Sequence, residues 1–267
     1  MVRQPAVAGQ FYASDKEELR NSVKRYLVFP ERKRPARGVM VPHAGYMYSG
    51  KTAGVVYGSV EFPPLVLMLG PNHTGVGAPV SVYAEGAWRM PLGDVHVDET
   101  LAAALLAACP EAEADTLAHQ REHSLEVQVP FLQTLLPSLR MLPVVVGTPD
   151  FGDLEALGRA VAEVVRQSEE LVMILISSDM THFESAESAR AKDRYALDAL
   201  ESLDAEALHR VVQERRITMC GAAPATAALV ALRELGARKG ELLDYTNSGD
   251  VSGDYRSVVA YAGMAMA

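Results

Sequence analysis

The amino-acid sequence predicts an α/β fold with three layers, in which helices cover both faces of a mostly parallel central sheet. Strand-length apolar runs alternate along the chain with longer segments of helical period. The runs are nearly continuous Val, Leu, Ile and Met, which is typical of strands buried on both faces. No linker-like composition and no repeat of fixed period interrupts the alternation, so we expect residues 1–267 to form a single domain.

The central strands are predicted from apolar runs that have strand length and lack a helical period. These runs are residues 38–41, 65–69, 142–146 and 171–176. Two further strands are predicted near the end of the chain, at residues 241–245 and 257–262.

The first helix is predicted from the segment "ASDKEELRNSVKRYL". Ser14 and Glu17 form a capping-box pattern at its start. Leu19, Val23 and Leu27 then recur at four-residue spacing, as expected for one apolar face of a helix. Further helices are predicted at residues 51–60, 99–108, 124–136 with a bend at Pro130, 154–167, 186–203, 205–215 and 222–235.

The composition excludes several classes of function. The formal net charge is -9, and the only notable basic run is "ERKRPAR" at residues 31–37, so we expect no nucleic-acid partner. The N-terminus lacks a signal-peptide pattern, and no apolar stretch reaches the roughly 18 residues of a membrane span. We therefore expect a cytoplasmic protein with no membrane partner. The two cysteines, Cys109 and Cys220, are too few for a disulfide framework.

Three histidines follow the ends of predicted central strands. His43 follows the first, in "VPHAGY", His73 follows the second, in "LGPNHTG", and His182 follows the fourth, in "ISSDMTHF". Because the carboxyl ends of parallel strands lie at one edge of a sheet, these side chains are expected to converge there. Imidazole is both the commonest metal ligand and the acid or base best matched to neutral pH. A shared metal site and a shared catalytic site both remain open on this pattern.

The segment "QREHSLEVQVPF" adds two carboxylates and another histidine. On a helix, His123 and Glu126 would share a face at three-residue spacing and could present two ligands to one ion. Glu122 and Glu126 are equally well explained as acidic residues near the positive end of a helix dipole. Both interpretations stay open.

Cys220 lies directly before an alanine-rich helix, in "TMCGAAPATAALVAL". A helix N-terminus stabilises a thiolate, which favours nucleophilic or metal-binding use, whereas a buried structural cysteine is the alternative. Cys109 has no polar constellation nearby and is predicted to be structural. The segment Ser177-Ser178-Asp179 lacks the G-x-S-x-G elbow of a serine hydrolase, and neither an H-E-x-x-H zinc motif nor a phosphate-binding loop occurs.

Taken together, these segments resemble the Memo family, named after a eukaryotic mediator of cell motility. Its prokaryotic members are called AmmeMemoRadiSam system protein B. The matching blocks are "RQPAVAGQFY", "RPARGVMVPHAGYMYSG", "MLGPNHTG", "REHSLEVQVPFLQ", "ISSDMTHF", "TMCGAAP" and "YTNSGDVSGDYRSVVAYAG". They occur in order from residue 3 to residue 264, so the resemblance covers essentially the whole chain.

The resemblance implies a fold similar to that of class III extradiol dioxygenases, which are non-haem iron enzymes. It also implies a metal site of two histidines and one cysteine. By motif these ligands are His43 of "PHAGY", His73 of "GPNH" and Cys220 of "MCG".

The remaining residues that match the family's pocket blocks are His123, Asp179 and His182, which we expect to act as catalytic acid or base groups or to support the ligands. A cysteine in place of the carboxylate of the extradiol enzymes softens the site and favours iron or copper redox chemistry, with zinc as a further option. Fold similarity by itself does not transfer the dioxygenase reaction.

The leading hypothesis is an iron- or copper-dependent redox protein. The alternative is a non-catalytic binding module that uses the same pocket for a peptide or small acidic ligand, and a zinc-dependent hydrolase is a third reading. The family name implies a pathway link to AMMECR-type and radical SAM proteins. The substrate is not specified by any of these patterns.

Overall fold

The computed structural model describes residues 1–267, which form one twelve-stranded sheet and nine α-helices. The strands are β1 (Val2–Arg3), β2 (Gly38–Val41), β3 (Leu65–Pro71), β4 (Val80–Val82), β5 (Ala87–Met90), β6 (Gly93–Val97), β7 (Ala112–Ala114), β8 (Arg140–Val146), β9 (Val172–Ser177), β10 (His182–Glu184), β11 (Gly240–Asn247) and β12 (Val258–Met266). The helices are α1 (Lys16–Tyr26), α2 (Tyr46–Ser59), α3 (Glu99–Ala108), α4 (Val129–Leu135), α5 (Phe151–Gln167), α6 (Ala186–Glu201), α7 (Ala205–Glu214), α8 (Ala222–Glu234) and α9 (Gly249–Ser252).

The centre of the sheet is parallel, as predicted. The strand order runs β1-β5-β6-β8-β3-β9-β2-β12-β10, and β8, β3, β9 and β2 are neighbours that all point the same way. These are the strands predicted from the four apolar runs. The last residues of β2 and β9, Val41 and Ser177, pair directly, so the loops that follow both strands leave the sheet side by side.

Helices cover both faces of the sheet and complete the predicted three layers. Alternate residues of β2 show the division, because Met40 packs into one core while Val39 and Val41 pack into the other. Residues of α3 and α5 to α8 belong to the first core, and residues of α1, α2 and α4 belong to the second. The α/β class is therefore confirmed. No helix has both the length and the apolar character that crossing a membrane requires.

The sequence analysis missed six short strands: β1, β4, β5, β6, β7 and β10. They have two to five residues each, and several alternate between buried and exposed positions, as β6 does. Such strands carry no continuous apolar run, and most of them pair with strands distant in the chain, although β5 and β6 pair with each other as a hairpin. The predicted terminal strands are present as β11 and β12, which pair antiparallel with each other.

Four predicted helix starts were wrong, and the simplest case is α5, which begins at Phe151 rather than at residue 154. The side chain that caps α1 is Asp15 rather than Ser14, because its carboxylate accepts the N–H groups of Glu17 and Glu18. Helix α2 begins at Tyr46, five residues before the predicted start at residue 51. The predicted helix at 124–136 is a 3-10 turn followed by α4, with Pro130 in the first turn of α4, where its missing N–H costs nothing.

Candidate metal centre

Three histidines meet at the carboxyl edge of the parallel strands. His43 and His73 each lie two residues beyond a strand end, since β2 ends at Val41 and β3 ends at Pro71. His123 reaches the same place from the loop before the 3-10 turn. One ring nitrogen of each histidine lies within 4.8 Å of those of the other two, a spacing that allows the three to hold one metal ion.

His43 is buried and is held at both its backbone and its ring. Its backbone N–H donates to Oδ1 of Asp179 at 2.7 Å, and its Nδ1 lies 2.9 Å from Oγ of Ser177. Burial, together with the neighbouring imidazoles, lowers the pKa of His43 well below its usual value. The ring is therefore neutral at physiological pH, which is the form that binds a metal.

His73 is paired with a carboxylate. Glu122 accepts a hydrogen bond from the backbone N–H of His73 at 2.7 Å and another from its ring Nδ1 at 2.9 Å. Burial opposes the charged form of both groups, but the hydrogen bond and the opposite charges prevail. They raise the pKa of His73 and lower that of Glu122 to about 2. A carboxylate on one imidazole nitrogen, with the other nitrogen left free, is the usual arrangement behind a metal-ligating histidine.

Cys220 lies against His43, immediately before α8. Its Sγ is 3.1 Å from Nε2 of His43 and accepts the backbone N–H of Asp179 at 3.2 Å. The following residue, Gly221, permits this approach, because a Cβ there would lie 2.4 Å from Cβ of Ser178. The structure thus brings the predicted cysteine and the first predicted histidine into direct contact.

The Cys220 thiol is not acidified by the helix start, contrary to the argument from the dipole. Burial raises the pKa of Cys220, the nearby charge of Asp179 raises it further, and together these outweigh the hydrogen bonds from the backbone. Without a metal the side chain is therefore a protonated thiol. Binding of a cation at Sγ would release that proton.

Asp179 connects the segment of His43 with that of Cys220. Its carboxylate holds the backbone of His43, while its own N–H contacts Sγ of Cys220. Burial raises the pKa of Asp179 to about 6, although hydrogen bonds from the backbone oppose the shift. A carboxyl group with a pKa in this range can exchange a proton near neutral pH.

The other two predicted catalytic residues also lie at this site. The ring of His123 stacks on that of His73 at a centroid distance of 4.8 Å, and burial lowers the pKa of His123. His182 lies across the cavity, where its Nδ1 is 2.9 Å from the carbonyl oxygen of Thr218. Since a carbonyl only accepts, Nδ1 of neutral His182 carries the hydrogen and Nε2 is free to act as a base.

A cavity of about 670 Å³ opens above the histidines. His43, His73, His123, Asp179 and His182 all face it. Apart from the amide of Gln10, its other walls are aromatic, aliphatic or hydroxyl-bearing, and they contain no Lys or Arg. These wall residues include Phe11, Met47, Tyr48, Phe183, Ser248, Ser252 and Tyr261.

The rim of this cavity carries an exposed aromatic ring. Phe183 is 79% exposed, and its backbone φ of 62° lies in the left-handed region, which is uncommon for a residue with a side chain. Met47, on the first turn of α2, is also exposed beside the cavity. The entrance therefore presents apolar surface to solvent.

Glu126 takes no part in the site, so the predicted pairing of His123 and Glu126 on a helix face was wrong. The Glu126 carboxylate is fully buried and accepts from the hydroxyl of Tyr12 at 2.6 Å, and it pairs with Arg3 at 2.7 Å. His123 precedes the 3-10 turn rather than lying on a helix with Glu126. Glu122, in contrast, belongs to the site through its contact with His73.

The sequence analysis missed Ser177 and Gln128, which form the buried surroundings of His43. Nε2 of Gln128 donates to Oγ of Ser177 at 2.9 Å, and that same oxygen contacts the His43 ring. Ser177 belongs to the segment Ser177-Ser178-Asp179, whose sequence suggests only a nucleophilic serine. Polar residues at buried positions of "EVQVPF" and "LISSD" were the available signal.

The comparisons with known proteins decide the family. A family described as "Memo-like protein" matches residues 3–265 of the chain. This protein belongs to the Memo family. Among its relatives, a MEMO1 family protein of Aquifex aeolicus is 47% identical over 98% of each chain. Another from Methanopyrus kandleri is 40% identical, again over 98% of each chain.

A solved structure supports the fold of this Memo family member. An uncharacterized protein from Escherichia coli K12 superimposes with a TM-score of 0.54 and covers 84% of this chain and 98% of its own. The sequence identity is 12%, so the likeness concerns the fold alone.

Proposed function

We propose that this Memo family protein binds one iron or copper ion through His43, His73 and Cys220 and uses it for redox chemistry on an organic molecule in the cavity above. The single observation that carries the proposal is the 3.1 Å contact between Nε2 of His43 and Sγ of Cys220 beside a cluster of three histidines. Cys220 lies outside the group of three histidines and does not line the cavity, but its sulfur contacts His43, which does both, so the two neutral ligand atoms could share a cation.

The donor set favours a transition metal. Imidazole and thiolate are ligands for iron, copper and zinc, whereas calcium and magnesium prefer oxygen. A bound iron or copper ion would supply one-electron chemistry and open positions for a substrate. Zinc in the same place would leave only Lewis-acid chemistry, as the hydrolase alternative requires.

The other polar residues of the cavity support proton transfer and substrate binding. Asp179 and His182 face the cavity, and we assign them as the acid and base groups. His123 offers a further neutral nitrogen next to His73, and we assign it to the substrate side of the ion.

The cavity walls favour an uncharged substrate with an apolar part. No Lys or Arg lines the cavity, so apart from the ion only protonated histidines could pair with an anionic group. Phe11, Met47 and Phe183 provide apolar surface instead. This composition gives less support to the alternative of a module that binds a small acidic ligand.

Metal analysis tests the proposal. Protein purified without oxygen is analysed for iron, copper and zinc, as wild type and as the His43→Ala and Cys220→Ala variants. His96→Ala and Cys109→Ala serve as controls, because these residues lie away from the cavity. We expect about one redox-active ion per chain in the wild type and both controls and a large loss in the two site variants. Full metal content in both site variants would contradict the proposal.

A further inference from the structure

One short segment of the chain, residues 122–128, contacts the side chains behind two of the histidines. Its first residue, Glu122, accepts the hydrogen bond from Nδ1 of His73. The carbonyl oxygen of Ser124 accepts a hydrogen bond from the hydroxyl of Ser177 at 2.6 Å, and that hydroxyl oxygen contacts Nδ1 of His43. The last residue, Gln128, contacts the same hydroxyl.

The hydrogens around Ser177 can be counted. The Ser177 hydroxyl has one hydrogen, and its oxygen lies 2.6 Å from the carbonyl oxygen of Ser124. Because a carbonyl oxygen carries no hydrogen, the hydroxyl hydrogen must lie between these two oxygens. The amide nitrogen Nε2 of Gln128, 2.9 Å from the hydroxyl oxygen, can only donate. The hydroxyl has therefore no hydrogen left for His43, and Nδ1 of His43 must be the donor in their 2.9 Å contact.

The orientation of the Gln128 amide is fixed on its other side. Its Nε2 lies 3.0 Å from the carbonyl oxygen of Pro42, which requires a donor. Its Oε1 accepts the hydroxyl of Tyr57 at 2.8 Å. An amide turned the other way would place two acceptors together at Pro42.

Water cannot replace these contacts. Tyr57 and Ser177 are fully buried, Gln128 is 1% exposed, and His43 is 2% exposed. A group that loses its partner here stays unpaired, so the arrangement of hydrogens is enforced rather than averaged over solvent.

We infer that Ser177 and Gln128 are positioning residues that hold neutral His43 as the tautomer with hydrogen on Nδ1, leaving the lone pair of Nε2 facing Sγ of Cys220. Glu122 imposes the same tautomer on His73. Residues 122–128 thus prepare both histidines to bind through Nε2 before any ion arrives. The inference rests on the proposed function only for the identity of what Nε2 binds.

Nuclear magnetic resonance on the metal-free, full-length chain tests the inference. Long-range ¹H–¹⁵N correlation spectra distinguish a protonated from an unprotonated ring nitrogen, and the His43→Gln variant assigns the His43 signals. In the wild type we expect hydrogen on Nδ1 of His43. Ser177→Ala removes the acceptor of the Nδ1 hydrogen and is expected to shift population toward the tautomer with hydrogen on Nε2. Gln128→Met, which keeps the length of the side chain, removes one of the two contacts that orient the Ser177 hydroxyl, while the carbonyl oxygen of Ser124 keeps the other. This variant is expected to cause a smaller shift in the same direction.

Gln213→Met, an exposed substitution on α7 outside this group, is the control and should leave the His43 signals unchanged. Zn²⁺ affinity, measured by competition with a chelator, should fall about 10–100-fold in Ser177→Ala. The control variant should keep both the Zn²⁺ affinity and the melting temperature of the wild type. A wild-type His43 with hydrogen on Nε2, or an unchanged tautomer in both folded variants, would overturn the inference. Because the spectra are recorded without metal, this result is independent of whether iron or copper proves to be the native ion.

Discussion

The carboxylate of Glu122 receives both the backbone N–H and the ring Nδ1 of His73, at 2.7 and 2.9 Å. This double contact fixes where the imidazole lies and which of its nitrogens is free. Glu122, in the loop that also carries His123, therefore orients His73, a proposed ligand that follows β3.

Removal of the Glu122 charge should weaken metal binding without removing a ligand. In Glu122→Gln we expect metal affinity to fall about 10–100-fold, because the carboxylate charge that orients the His73 ring and makes its free nitrogen more basic is lost. The pKa of His73 should also fall, since Glu122 is what raises it. Chelator competition measures the first effect, and a proton titration followed by magnetic resonance measures the second. The exposed carboxylate variant Glu61→Gln should show neither.

Metal binding should release protons and strengthen as pH rises. The pKa of Cys220 is raised by burial, so the thiol keeps its proton at neutral pH until an ion displaces it. The pKa of His73 is raised from 6.5, so protons already compete with the metal for this ring at pH values above 6.5. Titration calorimetry in buffers of different ionisation enthalpy should find about one proton released at pH 8 and more near pH 6. Cys220→Ala should reduce the number at pH 8 by about one, and an unchanged number would contradict this account.

Ionisation of Asp179 should make the metal-free protein less stable as pH rises from about 4 to 6. Its pKa is about 6 in the fold against a usual 3.8, so the folded state binds more protons between these values. The free energy of unfolding attributable to this group therefore falls as pH rises from about 4 to 6. Asp179→Asn cannot lose a proton there, and its urea-unfolding free energy should fall less over the same range. Equal pH profiles for the variant and the wild type would refute the prediction.

The N-terminal residue Arg3 should be essential to stability. Its guanidinium pairs with Glu126 and donates to the carbonyl oxygens of His119 and Glu122, all buried. Arg3→Met leaves the Glu126 carboxylate buried without its cation, and we expect a loss of about 3–5 kcal/mol in the free energy of unfolding. Arg256→Met, which breaks an exposed pair with Asp254, should leave the free energy of unfolding nearly unchanged. Urea unfolding of both variants makes the comparison.

The double variant tests the reason for that loss. If the cost comes from the unpaired carboxylate, then Arg3→Met combined with Glu126→Gln should recover part of the stability lost in Arg3→Met alone. A purely additive result would show that the two side chains do not act as a pair.

The sequence predicted those features that depend on parallel strands. Continuous apolar runs identified β2, β3, β8 and β9, and their shared direction explains why His43 and His73 meet. The sequence did not show the partners that decide what each polar residue does. Glu126 pairs with Arg3, Ala6, Val7 and Tyr12, which lie more than a hundred positions away, so no local spacing distinguishes it from Glu122. The same holds for Gln128 and Ser177, whose contact joins residues 49 positions apart.

X-ray absorption at the metal edge identifies the atoms that bind the ion. In protein loaded with one equivalent of iron or copper, the account predicts one sulfur ligand together with imidazole nitrogens. Cys220→Ser should lose the sulfur contribution, and Cys109→Ser should keep it. A spectrum of the wild type without sulfur, or a Cys220→Ser spectrum identical to that of the wild type, would contradict a metal centre built on His43, His73 and Cys220.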